Sequence, residues 1–264
     1  MTTSFRRVLS SQLRNVLRSR WLLGYTALLL AVTVLLLRFG GSGERALLSL
    51  VNVVLLLVPL VSVVFGTLYV YNAREFIELL LAQPVGRGAV YLGMFGGLAV
   101  PQVSALLLGV GGPLVVQAFS EPLIVRPLVM LLAVGICLTL VFTAFALCVA
   151  VLVEERSRGF GVALLVWLGC TVLYDGIILL VLTTLRDYPL ETPVVVMTFL
   201  NPIDLARVVL LLTFDVAILM GYTGTLFAEL FGTTLGIAAA FGMLIMCAVV
   251  PLIAGLRWFR RKDF

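Results

Sequence analysis

Residues 71–93 read YNAREFIELLLAQPVGRGAVYLG and separate two long apolar runs, 46–70 and 91–116. The first half of the stretch carries Arg74, Glu75 and Glu78 among apolar residues, and the second half breaks at Pro84, Gly86 and Gly88. Asn72 followed three residues later by Glu75 is a variant of the capping box, so a short helix is predicted to start there. Phe76, Ile77, Leu79, Leu80 and Leu81 continue it until Pro84, and Val85-Gly86-Arg87-Gly88 turns the chain into the next apolar run. The stretch reads as a rigid rod held at a membrane surface between two spans. Such a rod is suited to receive force from another protein.

The rest of the chain agrees with a bilayer setting. Of 264 residues, 62% are hydrophobic and 12% charged, with a mean hydropathy of +1.20. A soluble domain carries about 25% charged residues. Six segments, 21–38, 46–70, 91–116, 127–153, 160–185 and 234–257, match the roughly 20 apolar residues needed to cross a hydrocarbon core. The sequence therefore predicts a single all-α integral membrane domain over 1–264 with six transmembrane helices.

Ahead of the first span, residues 3–20 place Phe5, Val8, Leu9, Leu13, Val16 and Leu17 at helical spacing, with Arg6, Arg7, Arg14, Arg18 and Arg20 mostly off that face. A basic amphipathic helix in this position belongs in the membrane interface. It is not read as a secretion signal, because no A-x-A pattern follows its long charged region. Counting basic residues by loop puts 13 on the side of the N-terminus and 5 on the other. The excess of cationic residues on cytoplasmic loops then predicts both termini inside.

Between the fifth and sixth spans lies segment 186–233. Asn201-Pro202-Ile203-Asp204 reads as a helix start, with Asn201 as the N-cap and Pro202 at the first helical position. A seventh span here would carry Asp204, Arg207 and Asp215 into the bilayer at about 2.5–3.5 kcal/mol each near its centre. It would also put the RWFRRKD end on the wrong side. The expectation is thus two amphipathic helices, 202–220 and 225–231, on the outer surface, with a re-entrant pair as the alternative.

Several chemistries find no support. Cys137, Cys148, Cys170 and Cys247 all fall in apolar runs without a CxxC pair, and there is no histidine. A zinc site, a disulfide framework and histidine acid–base catalysis are therefore not expected, and neither is a resident cofactor. Cys137 and Cys148, eleven apart, return to nearly one face of the fourth span. A path for soft copper ions through them would lack any supporting His or Met. No basic stripe with interleaved aromatics suggests nucleic acid. The phosphate-binding motif GxxxxGK[ST] needs a lysine, and the only one is Lys262, so the chain does not hydrolyse ATP by that route.

Asp175, in VLYDGIILL, lies near the middle of the fifth span, where a carboxylate is costly. It is protonated, paired with another helix, or facing water, and together with Tyr174 it is a candidate for transport or gating as well as for a packing hydrogen bond. Asn52, Gln102 and Gln117 are candidates for polar contacts between helices, and Gly93-x-x-x-Gly97 for close packing.

The sequence ELLLAQPVGRGAVYLG at 78–93 resembles the first cytoplasmic loop of ABC-2 type permeases, the six-span subunits of ATP-binding cassette transporters. Within that family it is most similar to the NosY type, the permeases of nitrous oxide reductase maturation. The basic N-terminal helix, the six spans, the helices before the last span and the basic tail fit the same resemblance.

What the resemblance implies is a coupling helix in loop 72–88 that docks on a nucleotide-binding subunit. Glu75, Glu78, Leu79, Leu80, Pro84, Gly86 and Arg87 would be contacts or geometry setters, and Glu154, Glu155 and Arg156 of the second loop would be the other contact. It further implies a homodimer in a bacterial inner membrane, with two copies of a cytoplasmic ATPase that bind ATP and Mg. A periplasmic accessory protein would be bound by the outer helices, with Asp204, Arg207, Asp215 and Tyr222 as candidate contacts. The role implied is supply of sulfur, or less readily copper, for the copper–sulfur cluster of nitrous oxide reductase. The alternatives are an ABC-2 exporter of a drug, lipid or peptide, and a mechanotransmitter or scaffold that passes ATPase motion outward without moving solute. An intramembrane enzyme has least support, since Asp175 has no second acid or nucleophile at a recognisable spacing.

Overall fold

The computed structural model describes residues 19–40, 43–81, 86–184, 191–214 and 234–261. Within them every regular element is helical. Helix α1 (Arg20–Phe39) and α2 (Gly43–Asn72) are followed by the short α3 (Arg74–Leu81). Helix α4 (Arg87–Leu106) continues through a π turn, Leu107–Gly111, into α5 (Gly112–Ala118), and a 3-10 turn, Pro122–Ile124, opens α6 (Val125–Leu152). Helix α7 (Arg156–Leu168) likewise passes through a π turn, Gly169–Leu173, into α8 (Tyr174–Thr184). Two shorter helices, α9 (Glu191–Leu200) and α10 (Pro202–Thr213), precede the long α11 (Thr234–Arg261).

Among the described residues, six stretches of helix are long and apolar enough to cross a membrane: Arg20–Phe39, Arg45–Asn72, Arg87–Ala118, Pro122–Leu152, Arg156–Thr184 and Leu235–Arg261. Each contains most of one predicted span. The protein is an all-α integral membrane domain. The interfacial helix predicted over 3–20 falls almost wholly outside the described residues, as does the helix predicted over 225–231.

Helix α6 is the centre of the bundle, with α2, α4, α10 and α11 packed around it. In lipid, helices associate through close packing rather than by escaping water, which favours small residues at contacts. Gly135 of α6 illustrates this: a Cβ there would come within 2.8 Å of Leu106 and 3.4 Å of Val54. Gly93 and Gly97 are both buried in α4. Of the predicted polar contacts, Gln102 is buried without a hydrogen-bond partner among the described residues. Asn52 is exposed, and Gln117 donates locally to Glu121 at 2.9 Å.

Two expectations are corrected. Asn72 does not cap a new helix, because it closes α2, and α3 follows after the single residue Ala73. The Ala73 N–H bonds to the Tyr69 carbonyl and the Ile77 N–H to the Ala73 carbonyl, both at 2.9 Å, so helical bonding runs almost unbroken into α3 and leaves a cap little to do.

The second correction concerns 202–220. The helix ends at Thr213 and does not lie on a surface. Ile203, Asp204, Leu205, Ala206, Val208, Val209 and Leu210 are buried, against α6, α11 and α2. A helix apolar on nearly all sides finds no stable place at an interface with water. The expectation treated its charges as isolated, whereas the fold pairs them.

Candidate functional site

One end of the bundle gathers the first loop, the second loop and the end of α11. Helix α3 is strongly amphipathic. Ile77 anchors it at 2% exposure, while Leu79 is 67% exposed and Phe76 is also exposed. Glu75 and Glu78 point outward with them, and Leu80 is half-buried. Glu78 pairs with Arg74 at 3.5 Å, one turn away. At 41% and 49% side-chain exposure this pair adds little stability. Its effect is to hold the carboxylate on the outer face.

Both loops are fastened together. The Tyr71 hydroxyl donates to the Val153 carbonyl at 2.7 Å, and the Arg74 guanidinium donates to the Glu154 carbonyl at 3.2 Å. Gly159 lies directly under the Tyr71 ring, where a Cβ would collide with the phenol oxygen. Glu155 precedes α7 as its N-cap residue. Its carboxylate accepts from the Ser157 hydroxyl at 2.7 Å and pairs with Arg158 at 2.7 Å. Glu154, Glu155 and Arg156 are exposed.

On the other side, the Arg87 guanidinium donates to the Arg260 carbonyl at 2.9 Å, tying the start of α4 to the end of α11. The structure thus gathers Glu75, Glu78, Leu79, Leu80, Arg87, Glu154, Glu155 and Arg156 at one end of the bundle. Pro84 lies outside the described residues. Gly86 has φ −63° and ψ 128°, a conformation any residue adopts, and a Cβ there would meet nothing within 4 Å. Its turn does not require glycine.

A second polar site joins α8 to α10. Arg207 contacts both Asp175 oxygens, at 3.0 and 3.2 Å, and Asp204 at 3.2 Å. The Asn201 side chain caps α10 as predicted, accepting from the Ile203 N–H at 3.1 Å. Its amide donates to Asp204 at 2.8 Å and to the Cys170 carbonyl at 2.7 Å. That carbonyl belongs to the π turn, the kind of helix defect that frees a backbone acceptor for an outside donor. Asp175 is therefore paired with another helix, one of the three states its sequence position left open. Tyr174 donates instead to the Met197 carbonyl at 2.6 Å.

Asp204, 5% exposed, has its carboxyl pushed up to about 6 by burial and then by neighbouring Asp175, against the opposing pull of Arg207 and Asn201. Asp204 is buried, whereas the Arg207 side chain stays 34% exposed. Asp215 and Tyr222 lie outside the described residues. Sequence reasoning missed both π turns and the Asp175–Arg207 pairing. The glycines at 109, 111 and 112 and at 169 were the only local signal for the turns.

Comparison with known proteins adds the family. Residues 7–264 match the model of the ABC-2 family transporter protein. The chain is 28% identical over 265 residues to the probable ABC transporter permease protein NosY of Stutzerimonas stutzeri, covering 94% of this chain and 88% of that one. It is also 28% identical over 223 residues to the protein of the same description from Pseudomonas aeruginosa PAO1, covering 78% of this chain and 81% of that one.

Proposed function

The chain belongs to the ABC-2 family of transporter proteins, and from that premise we propose that a cytoplasmic ABC ATPase docks on α3 together with residues 153–158. The observation that carries this reading is the fastening of the two loops by Tyr71 and Arg74. Because of it, Leu79, Glu75 and Glu78 stand on a rod that cannot move without the starts and ends of several spans. The family implies an ATPase partner in a separate chain, and the lone Lys262 agrees that ATP is bound elsewhere.

In this reading two copies of the chain pair with two ATPases in a bacterial inner membrane, with both termini in the cytoplasm. ATP-driven closure pushes α3 and the second loop, and the push travels along α7 and α8 to Asp175 and α10. The pairing of Asp175 with Arg207 favours a second reading alongside solute transport: motion is delivered to segment 186–233 and to a periplasmic protein docked there, without a solute crossing. Following the resemblance to NosY-type permeases, the cargo or service is sulfur for the copper–sulfur cluster of nitrous oxide reductase. Copper is the poorer version, because the chain offers no histidine. An exporter of a drug, lipid or peptide is the alternative within the family.

The test is co-expression of the tagged chain with its cognate ABC ATPase, followed by measurement of stoichiometry and ATPase activity in detergent. A two-plus-two complex that the Glu78→Arg variant fails to form, or forms without activity, is expected. Co-purification and activity unaffected by Glu78→Arg combined with Leu79→Ala would remove the docking reading.

A further inference from the structure

Between the ends of α6 and α11, bordering the proposed docking surface at Glu154, lies a cavity of about 550 Å³. Its lining changes character along α11. Ala254 of α11 and Val151 and Leu152 of α6 supply its apolar lining. Arg257 and Trp258 follow one turn further along α11, Arg261 a turn beyond them, and Glu154 also lines the cavity.

Arg257 and Arg261 are four residues apart and so share a side of the helix. Both are exposed, and among the described residues neither forms an ion pair. Two unpaired guanidiniums one turn apart repel each other, and an anion between them removes the repulsion. Glu154 lines the same cavity but forms no ion pair with either arginine. Planar guanidiniums suit phosphate oxygens, which they meet with paired N–H donors.

The position selects the source of the phosphate. From Ala254 to Arg261 the helix advances about 10 Å, enough to pass from the hydrocarbon into the headgroup layer of one leaflet. Trp258, 59% exposed, stands at the level where indole rings collect at membrane–water boundaries. A ligand must then be apolar at one end and anionic at the other. We propose that this cavity holds an anionic phospholipid, with its phosphate between Arg257 and Arg261 and its glycerol end against Ala254 and Leu152. The site adjoins the proposed docking surface and shares Glu154 with it, but its two arginines lie on α11 and its test needs no ATPase, so its failure and that of the docking reading are distinguishable.

The experiment is native mass spectrometry of the full chain, delipidated in detergent and titrated with phosphatidylglycerol or phosphatidylcholine of identical acyl chains. The wild type is expected to retain one phosphatidylglycerol with at least about fivefold preference over phosphatidylcholine. The Arg257→Gln/Arg261→Gln variant should lose the preference, and an Arg156→Gln/Arg158→Gln variant, which removes the same charge nearby, should keep it. Arg261→Gln alone, at the exposed end of α11, gives a reduced preference and serves if the double variant does not fold. Equal retention of the two lipids by the wild type would overturn the proposal. So would an unchanged preference without Arg257 and Arg261, loss of preference in the Arg156/Arg158 variant, or displacement of the lipid by millimolar inorganic phosphate.

Discussion

Helices α3 and α10 are both short, both sit between spans, and both carry acids and an arginine three or four residues apart, yet they end in opposite environments. In α3 the charges and Leu79 face out and only Ile77 is buried. In α10 residues 202–206 and 208–210 are buried, and its charges are met by Asp175 and Asn201. The difference lies in what surrounds the charges. Helix α3 holds three charges in eight residues and buries only Ile77, so water can keep its outer side. Around Asp204 and Arg207 the remaining positions are apolar on all sides, so the helix enters the bundle and the charges must find partners there. Exposed charge on a fixed rod offers a docking surface, whereas charge paired between two helices makes a joint.

The comparison can be broken first at the joint. Arg207→Gln leaves two carboxylates facing each other and is expected to cost about 2–3 kcal/mol, less than a fully buried pair because Arg207 and Asp175 remain 34% and 42% exposed. Thermal unfolding in detergent measures it, and a loss below half a kcal/mol would mean that the pair is not a structural link. Asn201→Ala removes both the cap of α10 and the bond to the π turn. It should cost about 1–2 kcal/mol by the same assay.

Gly159→Ala tests the fastening of the loops, since its Cβ displaces the Tyr71 phenol. A loss of about 1 kcal/mol is expected, with a larger fall in ATPase coupling than in stability. On α3 itself, Leu79→Ala and Glu78→Arg should change stability by less than about 0.5 kcal/mol, because both side chains are exposed. The same changes are expected to weaken ATPase association about tenfold or more. Stability changes that match the association changes would erase the contrast between the two helices.

The smallest effect is with pH. A carboxyl held near 6 when folded favours the folded state while protonated, and this contribution is lost as pH rises from its ordinary value near 3.8 through about 6. Unfolding temperature should therefore decline across that interval, and Asp204→Asn should flatten the decline. An identical profile in the variant would place the titration elsewhere.

Much of this was legible in the residues. Length and hydropathy give the six spans, because a hydrocarbon core imposes a minimum run that few soluble segments reach. The cap at Asn201 was readable because Asn-Pro-x-Asp is a local signal. The burial of α10 was not, since the partner of Arg207 is 32 residues away on α8 and no local pattern encodes that distance. Asn72 misled for the converse reason: its capping pattern is real, but α2 runs on into it. The loop fastening rests on backbone carbonyls at 153 and 154, which any sequence supplies, so only the fold reveals it.

The most direct measurement places a photo-crosslinking residue at Leu79 or at Leu123 and asks which captures the co-expressed ATPase. Leu123 is 92% exposed in the turn that opens α6, at the opposite end of the bundle from α3. Capture at 79 and none at 123 is expected if α3 is the docking rod. Capture at 123, or at neither site in an otherwise active complex, would contradict it.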